Sequence, residues 1–185
     1  MPVTVPPNSG GSIAVIAAVV VGALAAIGLG VFGKVHDPRF FSINVAGFSS
    51  PMAVKAWLAT VVVVLALFQL LSALIMYGRI PGVGTPSWIG PVHVWSGRLA
   101  VLVSVPVAVH CLYALGFQSS DSRVLIHSVL GCLFYGVFVT KMLLLTGKGS
   151  KGWAIPVAGG LLFMTVVLVW LMSALWFFST QGLTV

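Results

Sequence analysis

The sequence predicts an all-α integral membrane protein, a bundle of five transmembrane helices built around one antiparallel hairpin. Three observations carry that reading. The 185 residues are 59% hydrophobic and only 6% charged, with a mean hydropathy of +1.16. A soluble fold of that composition would expose apolar surface far beyond an ordinary patch, whereas lipid covers it. The apolar residues fall into five runs, each long enough to cross a hydrocarbon core about 30 Å thick as a helix. The few strongly polar groups stand near the ends of those runs, or are histidines and Gln69 within them. Nine Lys and Arg against two acids give a net charge of +7, but the charges are spread singly, where they mark interfaces and meet anionic headgroups. The expected partner of that charge is the lipid bilayer, not nucleic acid.

Met1 to Gly11 is polar, rich in Pro and Gly, and free of Lys and Arg; the apolar run 12–33 follows. A secretory signal has a basic n-region and a shorter h-region, so this run is expected to be a retained first span. Its Gly22, Ala26 and Gly30 recur every four residues and make a smooth strip that another helix backbone can approach closely. From Lys34 to Pro51 charges, Gly47 and two prolines break the pattern into a loop, and Phe40, Phe41 and Phe48 suit the membrane surface. The run 52–77 is the second span, with Lys55 and Trp57 near one end and Met76, Tyr77 and Arg79 at the other, as interfaces favour. Gly78 to Pro91 is a second loop with Trp88 as an anchor. The runs 92–117 and 122–146 are the third and fourth spans, separated only by Gln118 to Asp121. Gly147 to Gly152 is a basic turn containing Lys148 and Lys151. The run 153–178 is the fifth span, with Trp153 at one end and Trp176, Phe177 and Phe178 at the other as aromatic belts. No period of about 20 to 50 residues recurs, so residues 1–185 read as one domain.

Let side A be the face holding the N-terminus and side B the opposite face. Arg79, Arg98, Lys141, Lys148 and Lys151 fall near side A, and Lys34, Arg39, Lys55 and Arg123 near side B. This balance leans toward side A, and hence the N-terminus, in the cytoplasm of a cell (plasma) membrane protein.

The central hairpin carries three of the four histidines, His93, His110 and His127. His110 precedes the end of the third span by seven residues and His127 follows the start of the fourth by five, so both lie roughly 8 to 10 Å below side B. Two imidazoles at one depth on adjacent antiparallel helices are what a six-coordinate b haem requires: two neutral nitrogen ligands on opposite sides of the macrocycle. Gly131, one turn beyond His127, leaves room for it, and Pro106, one turn before His110, should disturb the helix and re-aim that histidine. The same two side chains could instead hydrogen-bond backbone carbonyls and hold helices together.

His93 lies about 25 Å from His110 along the axis, so the two cannot share one iron. A second haem near His93 would need a second ligand there, for which only Met76 and Met142 offer sulfur. With Arg98 and Lys141, His93 could equally form a quinone pocket, bind phospholipid headgroups, or be solvated at the interface. His36, in the loop beside Asp37 and Arg39, could cap the site, bind a propionate with Arg39 or Arg123, replace a ligand, or simply be solvated. Cys111 and Cys132 differ in depth by roughly 9 Å, too far for a disulfide, and read as small buried apolar residues. The only acids, Asp37 and Asp121, fall in loops, which leaves no intramembrane carboxylate pair for acid–base chemistry. Redox chemistry on a bound cofactor needs only ligands and an insulating shell.

The segment His93-Val-Trp-Ser-Gly97-Arg98, with His110 and then His127 in the next helix, resembles the cytochrome b561 and ferric-reductase-like membrane cytochromes. The stretch from Pro91 through Phe178, including His127-Ser-Val-Leu-Gly131-Cys132 and Trp153-Ala-Ile-Pro156-Val-Ala-Gly159-Gly160, is similar to a group of uncharacterised actinobacterial multi-pass membrane proteins. The resemblance implies a haem-dependent electron carrier working with an external Rieske or cupredoxin-type partner. The larger cytochromes have four histidines in two separated pairs, whereas this chain supplies one. The expectation is therefore a membrane b-type cytochrome, an oxidoreductase or electron-transfer subunit. Its axial pair is His110 and His127, and it carries electrons between a membrane quinone and a partner on side B. The alternative is a cofactor-free structural or assembly subunit of a larger respiratory complex; a third reading is a transition-metal site lined by histidines.

Overall fold

The computed structural model describes residues 9–42, 44–147 and 151–185, and every regular element among them is a helix. Most of the N-terminal polar stretch, and Lys148 of the basic turn, lie outside the described residues. Five helices are long and apolar enough to cross a membrane. They are α1 (Ser9–Val35), α2 (Pro51–Met76), α3 (Ile89–Leu115), α4 (Ser122–Thr146) and α5 (Ala154–Gln181). All five expected spans are present, and α4 has the expected ends.

Local chemistry sets the other boundaries. The Ser50 hydroxyl accepts the Ala53 N–H at 3.1 Å and Pro51 opens the first turn, so α2 starts at the proline that the sequence reading had placed in the loop. Asp121 caps α4 in the same way, accepting the Val124 N–H at 2.9 Å. Gly116 and Gly182, with φ of +74° and +79°, end α3 and α5 in a backbone conformation that favours glycine. Both of these helices contain one π-type turn near side B, His110–Leu115 in α3 and Leu171–Leu175 in α5. The first begins one turn after Pro106, which lacks the N–H that an unbroken helix would use.

Helix order in space differs from order in the chain. α2 packs against α3 and α5, and α4 packs against α5 and α1, but α3 and α4 make no extended backbone contact. The sequence of contacts α3–α2–α5–α4 is a horseshoe with its mouth between α3 and α4. At side B the end of α1 reaches the π turn of α3, where the Phe117 N–H donates to the Gly33 carbonyl at 2.6 Å.

The seam between α1 and α4 is closed tightly. A Cβ on Gly22 would overlap the Thr140 hydroxyl, and one on Gly136 would lie 2.6 Å from the Gly22 carbonyl oxygen and 2.7 Å from the Ala26 Cβ. The Thr140 hydroxyl lies 3.3 Å from the Ala18 carbonyl oxygen across the same seam. The expected small-residue strip is thus a close helix contact, with α4 as its partner.

Candidate cofactor site

The interior of the horseshoe is a cavity bounded by α2, α3, α4 and α5. Its volume is about 110 Å³. Val107, Ala108 and Cys111 of α3, Ala59 and Val62 of α2, and Val166 and Val169 of α5 make its wall mostly apolar. On α4 the wall includes His127, Gly131 and Tyr135, spaced four apart on one helix face. A Cβ on Gly131 would meet nothing within 4 Å, so the residue faces open space as the sequence reading expected. Cys111 and Cys132 are free thiols on the lining. A polar bridge spans the mouth: the Ser104 and Tyr135 hydroxyls share a hydrogen bond at 2.9 Å.

His127 enters from α4. One ring nitrogen is within hydrogen-bonding reach of the Val169 carbonyl of α5, and the other, Nδ1, is buried with no partner. His110 repeats the arrangement from the opposite lip: its Nε2 is 2.9 Å from the Phe41 carbonyl oxygen and its Nδ1 is buried without a partner. The ring is 8% exposed, with the Phe41 ring against it edge-on.

The two histidines differ in aim. His127 lines the cavity, and His110 does not. The lining stripe of α3 runs through Ser104, Val107, Ala108 and Cys111, and at 100° per residue His110 lies about a third of a turn away. The expectation of two imidazoles facing each other across the gap is therefore met in depth but not in direction. Lys55 lies one turn before the cavity-lining Ala59 on α2. The sequence reading treated Lys55 only as an interfacial anchor. Its four-residue spacing from an apolar wall position was the available signal.

The remaining candidates divide clearly. Arg123, one turn before His127, donates to the Met172 carbonyl at 2.8 Å and stacks 3.9 Å over the Trp176 ring. Arg123 thus holds a carbonyl within the α5 π turn, where an interrupted helix ladder frees acceptors. His36 lies between the Phe32 and Tyr113 rings, with centroids 4.9 and 4.6 Å away, and donates Nε2–H to the Tyr113 carbonyl at 3.2 Å. With the Phe40 N–H on the Ala114 carbonyl at 3.0 Å, it satisfies the π turn of α3. His93 is in the other half of the bundle, bonded through Nδ1 to Ser72 Oγ at 2.7 Å. No group of three or more His, Cys, Asp or Glu capable of holding a metal ion occurs among the described residues.

Two features would suit a planar iron cofactor, although of the two histidines His127 alone lines the cavity. A metal-binding imidazole ordinarily anchors its other N–H on a carbonyl, which leaves one nitrogen lone pair for the metal, and both His110 and His127 have that form. Gly131 supplies a cradle that any side chain would fill.

Five apolar helices around a polar-lipped interior cavity define a multi-pass membrane protein. The chain belongs to a family of unknown function, DUF6529, whose model matches residues 15–185. No curated protein and no solved structure matches it.

Proposed function

We propose that this protein is a membrane-embedded b-type cytochrome of the plasma membrane, carrying electrons between a membrane quinone and a redox partner at side B. The observation that carries the reading is the pair of buried imidazoles, each with one nitrogen free and the other on a backbone carbonyl, beside a cavity open at Gly131. His127 is the nitrogen donor that the cavity offers directly. His110 is the second candidate, its free Nδ1 buried beside the cavity lining while Nε2 stays on the Phe41 carbonyl. A haem held there supplies a one-electron redox couple. The apolar wall of α2, α3 and α5 excludes water, and Lys55 brings positive charge to the side-B end, where a carboxylate of the cofactor would be neutralised. Arg123 is already committed to Met172 and Trp176, so Lys55 takes the propionate role that the sequence had suggested for Arg123. A soluble Rieske or cupredoxin-type protein is the partner proposed at side B, and an N-terminus in the cytoplasm goes with that orientation.

A second reading has its own support. The bond from His110 to Phe41 ties α3 to the first loop, which is what a cofactor-free structural subunit would need. A reduced-minus-oxidised spectrum and a haem count on the purified protein separate the two. The cytochrome reading expects a b-type spectrum that is lost in His127→Ala and in Gly131→Leu, the latter filling the cavity without touching a hydrogen bond. A colourless protein with an adequate haem supply, or an unchanged spectrum in both variants, overturns it in favour of the structural subunit.

A further inference from the structure

Across the cavity from α4 stands α3, and the residue that α3 presents there at the depth of His127 is Cys111. Cys111 is four residues before the end of α3 and His127 five after the start of α4, so both lie about 6 to 8 Å inside side B. Both line the same cavity, and His110, the chain neighbour of Cys111, does not. The stripe Ser104, Val107, Ala108 and Cys111 follows the three-and-four spacing of one helix face, which carries Cys111 inward and His110 to the side. His110 is held there, with Nε2 2.9 Å from the Phe41 carbonyl oxygen and the Phe41 ring against it edge-on.

Cys111 and Cys132 are both free thiols on the cavity wall, but they are not equivalent. The Cys132 sulfur lies 3.9 Å from where a Cβ of Gly30 would stand, at the seam with α1. Cys132 also shares α4 with His127, and two donors on one helix cannot stand on opposite sides of a planar macrocycle; five residues turn that helix only about 140°. Cys111 comes from a separate helix. His127 brings to the cavity an Nδ1 that is buried and has no hydrogen-bond partner among the described residues, the kind of nitrogen that a metal takes.

Charge favours a sulfur donor as well. The only acids of the chain are Asp37, in the loop after α1, and Asp121, which caps α4 from outside, so the bundle interior holds no carboxylate. A ferric haem between two neutral imidazoles keeps a net positive core, which is costly in an apolar interior without a counter-charge. A thiolate cancels that charge. Ligation removes the thiol proton, which passes to water, and leaves His127 neutral.

We infer that Cys111 is the axial ligand opposite His127, an inference that rests on the cytochrome reading and names the donor set of its haem as one thiolate and one imidazole. His110 then stays on the Phe41 carbonyl and ties α3 to the first loop. Thiolate ligation pushes electron density onto the iron and lowers its potential relative to an imidazole pair.

The test is iron-edge X-ray absorption of the purified full chain, with a potentiometric titration of the same samples, for the wild type, Cys111→Ser, His110→Ala and Cys132→Ala. One sulfur scatterer is expected in the wild type, kept in His110→Ala and Cys132→Ala and lost in Cys111→Ser, where the midpoint potential rises. A shell of nitrogen alone in the wild type overturns the inference, and so does a sulfur that survives Cys111→Ser. In either case a haem still bound leaves the cytochrome reading standing, and its loss in His110→Ala returns the second position to that histidine. A colourless wild type with an adequate haem supply overturns both. If Cys111→Ser does not fold, a wild-type sulfur that is kept in Cys132→Ala and His110→Ala supports Cys111, and one lost in Cys132→Ala overturns it.

Discussion

Two glycines of α4, five residues apart, show how one helix can seal one seam and leave the other open. Gly136 faces α1, where an added Cβ would press on the Gly22 carbonyl and the Ala26 side chain. Gly131 faces the horseshoe interior, where an added Cβ would meet nothing. The first glycine permits two backbones to touch, and in lipid that close packing is the main attraction between helices. The second removes a side chain from a space that the protein itself does not fill. A helix that is tightly held on one side can tolerate a void on the other, which is what an interior site in a small membrane bundle requires. The lesson is that glycine count alone says nothing about packing; the partner opposite each glycine decides its role.

Replacing both glycines would break or sharpen this contrast. Gly136→Val should cost about 3 kcal/mol or more, because the atoms it meets include backbone that cannot move aside cheaply. Gly131→Leu should change stability by less than about 1 kcal/mol, since it enters empty space. Unfolding in mixed micelles, followed by circular dichroism, measures both; equal losses would remove the distinction between the seams.

A smaller effect is expected at the bridge across the open mouth. Tyr135→Phe deletes the hydroxyl that bonds to Ser104 Oγ across the mouth and should cost about 0.6 kcal/mol, the usual value for an interhelical hydrogen bond in a membrane. Hydrogen exchange of α3 amides near Ser104 should rise while amides at the α1–α4 seam stay protected.

The smallest change is expected at the surface end of α4. The Val124 N–H, and then Arg123 and Ser120, hold the Asp121 carboxyl below its ordinary range. Its stabilising effect is therefore fully present above the unfolded-state value of about 3.9 and is lost as pH falls through the lower folded value. Asp121→Asn retains a capping acceptor and should flatten this acid limb, and amide exchange in the first turn of α4 between about pH 2 and pH 5 reads it. An identical acid limb in both proteins would show that the cap does not carry the pH dependence.

Much of this architecture was legible in the residues. The five spans followed from apolar run length, and the α1 strip followed from Gly22, Ala26 and Gly30 at four-residue spacing. Open space at Gly131 and the shared depth of His110 and His127 were also readable, because both depend only on position along a helix. The direction of His110 was not. It depends on rotation about α3, on the π turn that begins there, and on the Phe41 carbonyl sixty-nine residues earlier in the chain.

The sequence by itself determined that the chain has five helices long and apolar enough to cross a membrane, where each begins and ends within a few residues, and how far along its helix each histidine lies. These are one-dimensional quantities, set by hydropathy and by a fixed rise per residue. Only the tertiary structure decided that α3 and α4, consecutive in the chain, stand apart around a cavity while α4 closes on α1. It alone brought Lys141 to Gly159 and His93 to Ser72. The reason is that lipid is as apolar as the helix faces it surrounds, so hydrophobicity places helices in the bilayer without choosing their neighbours. That choice falls to the fit of small residues and to a few buried hydrogen bonds, whose partners lie far apart in the chain.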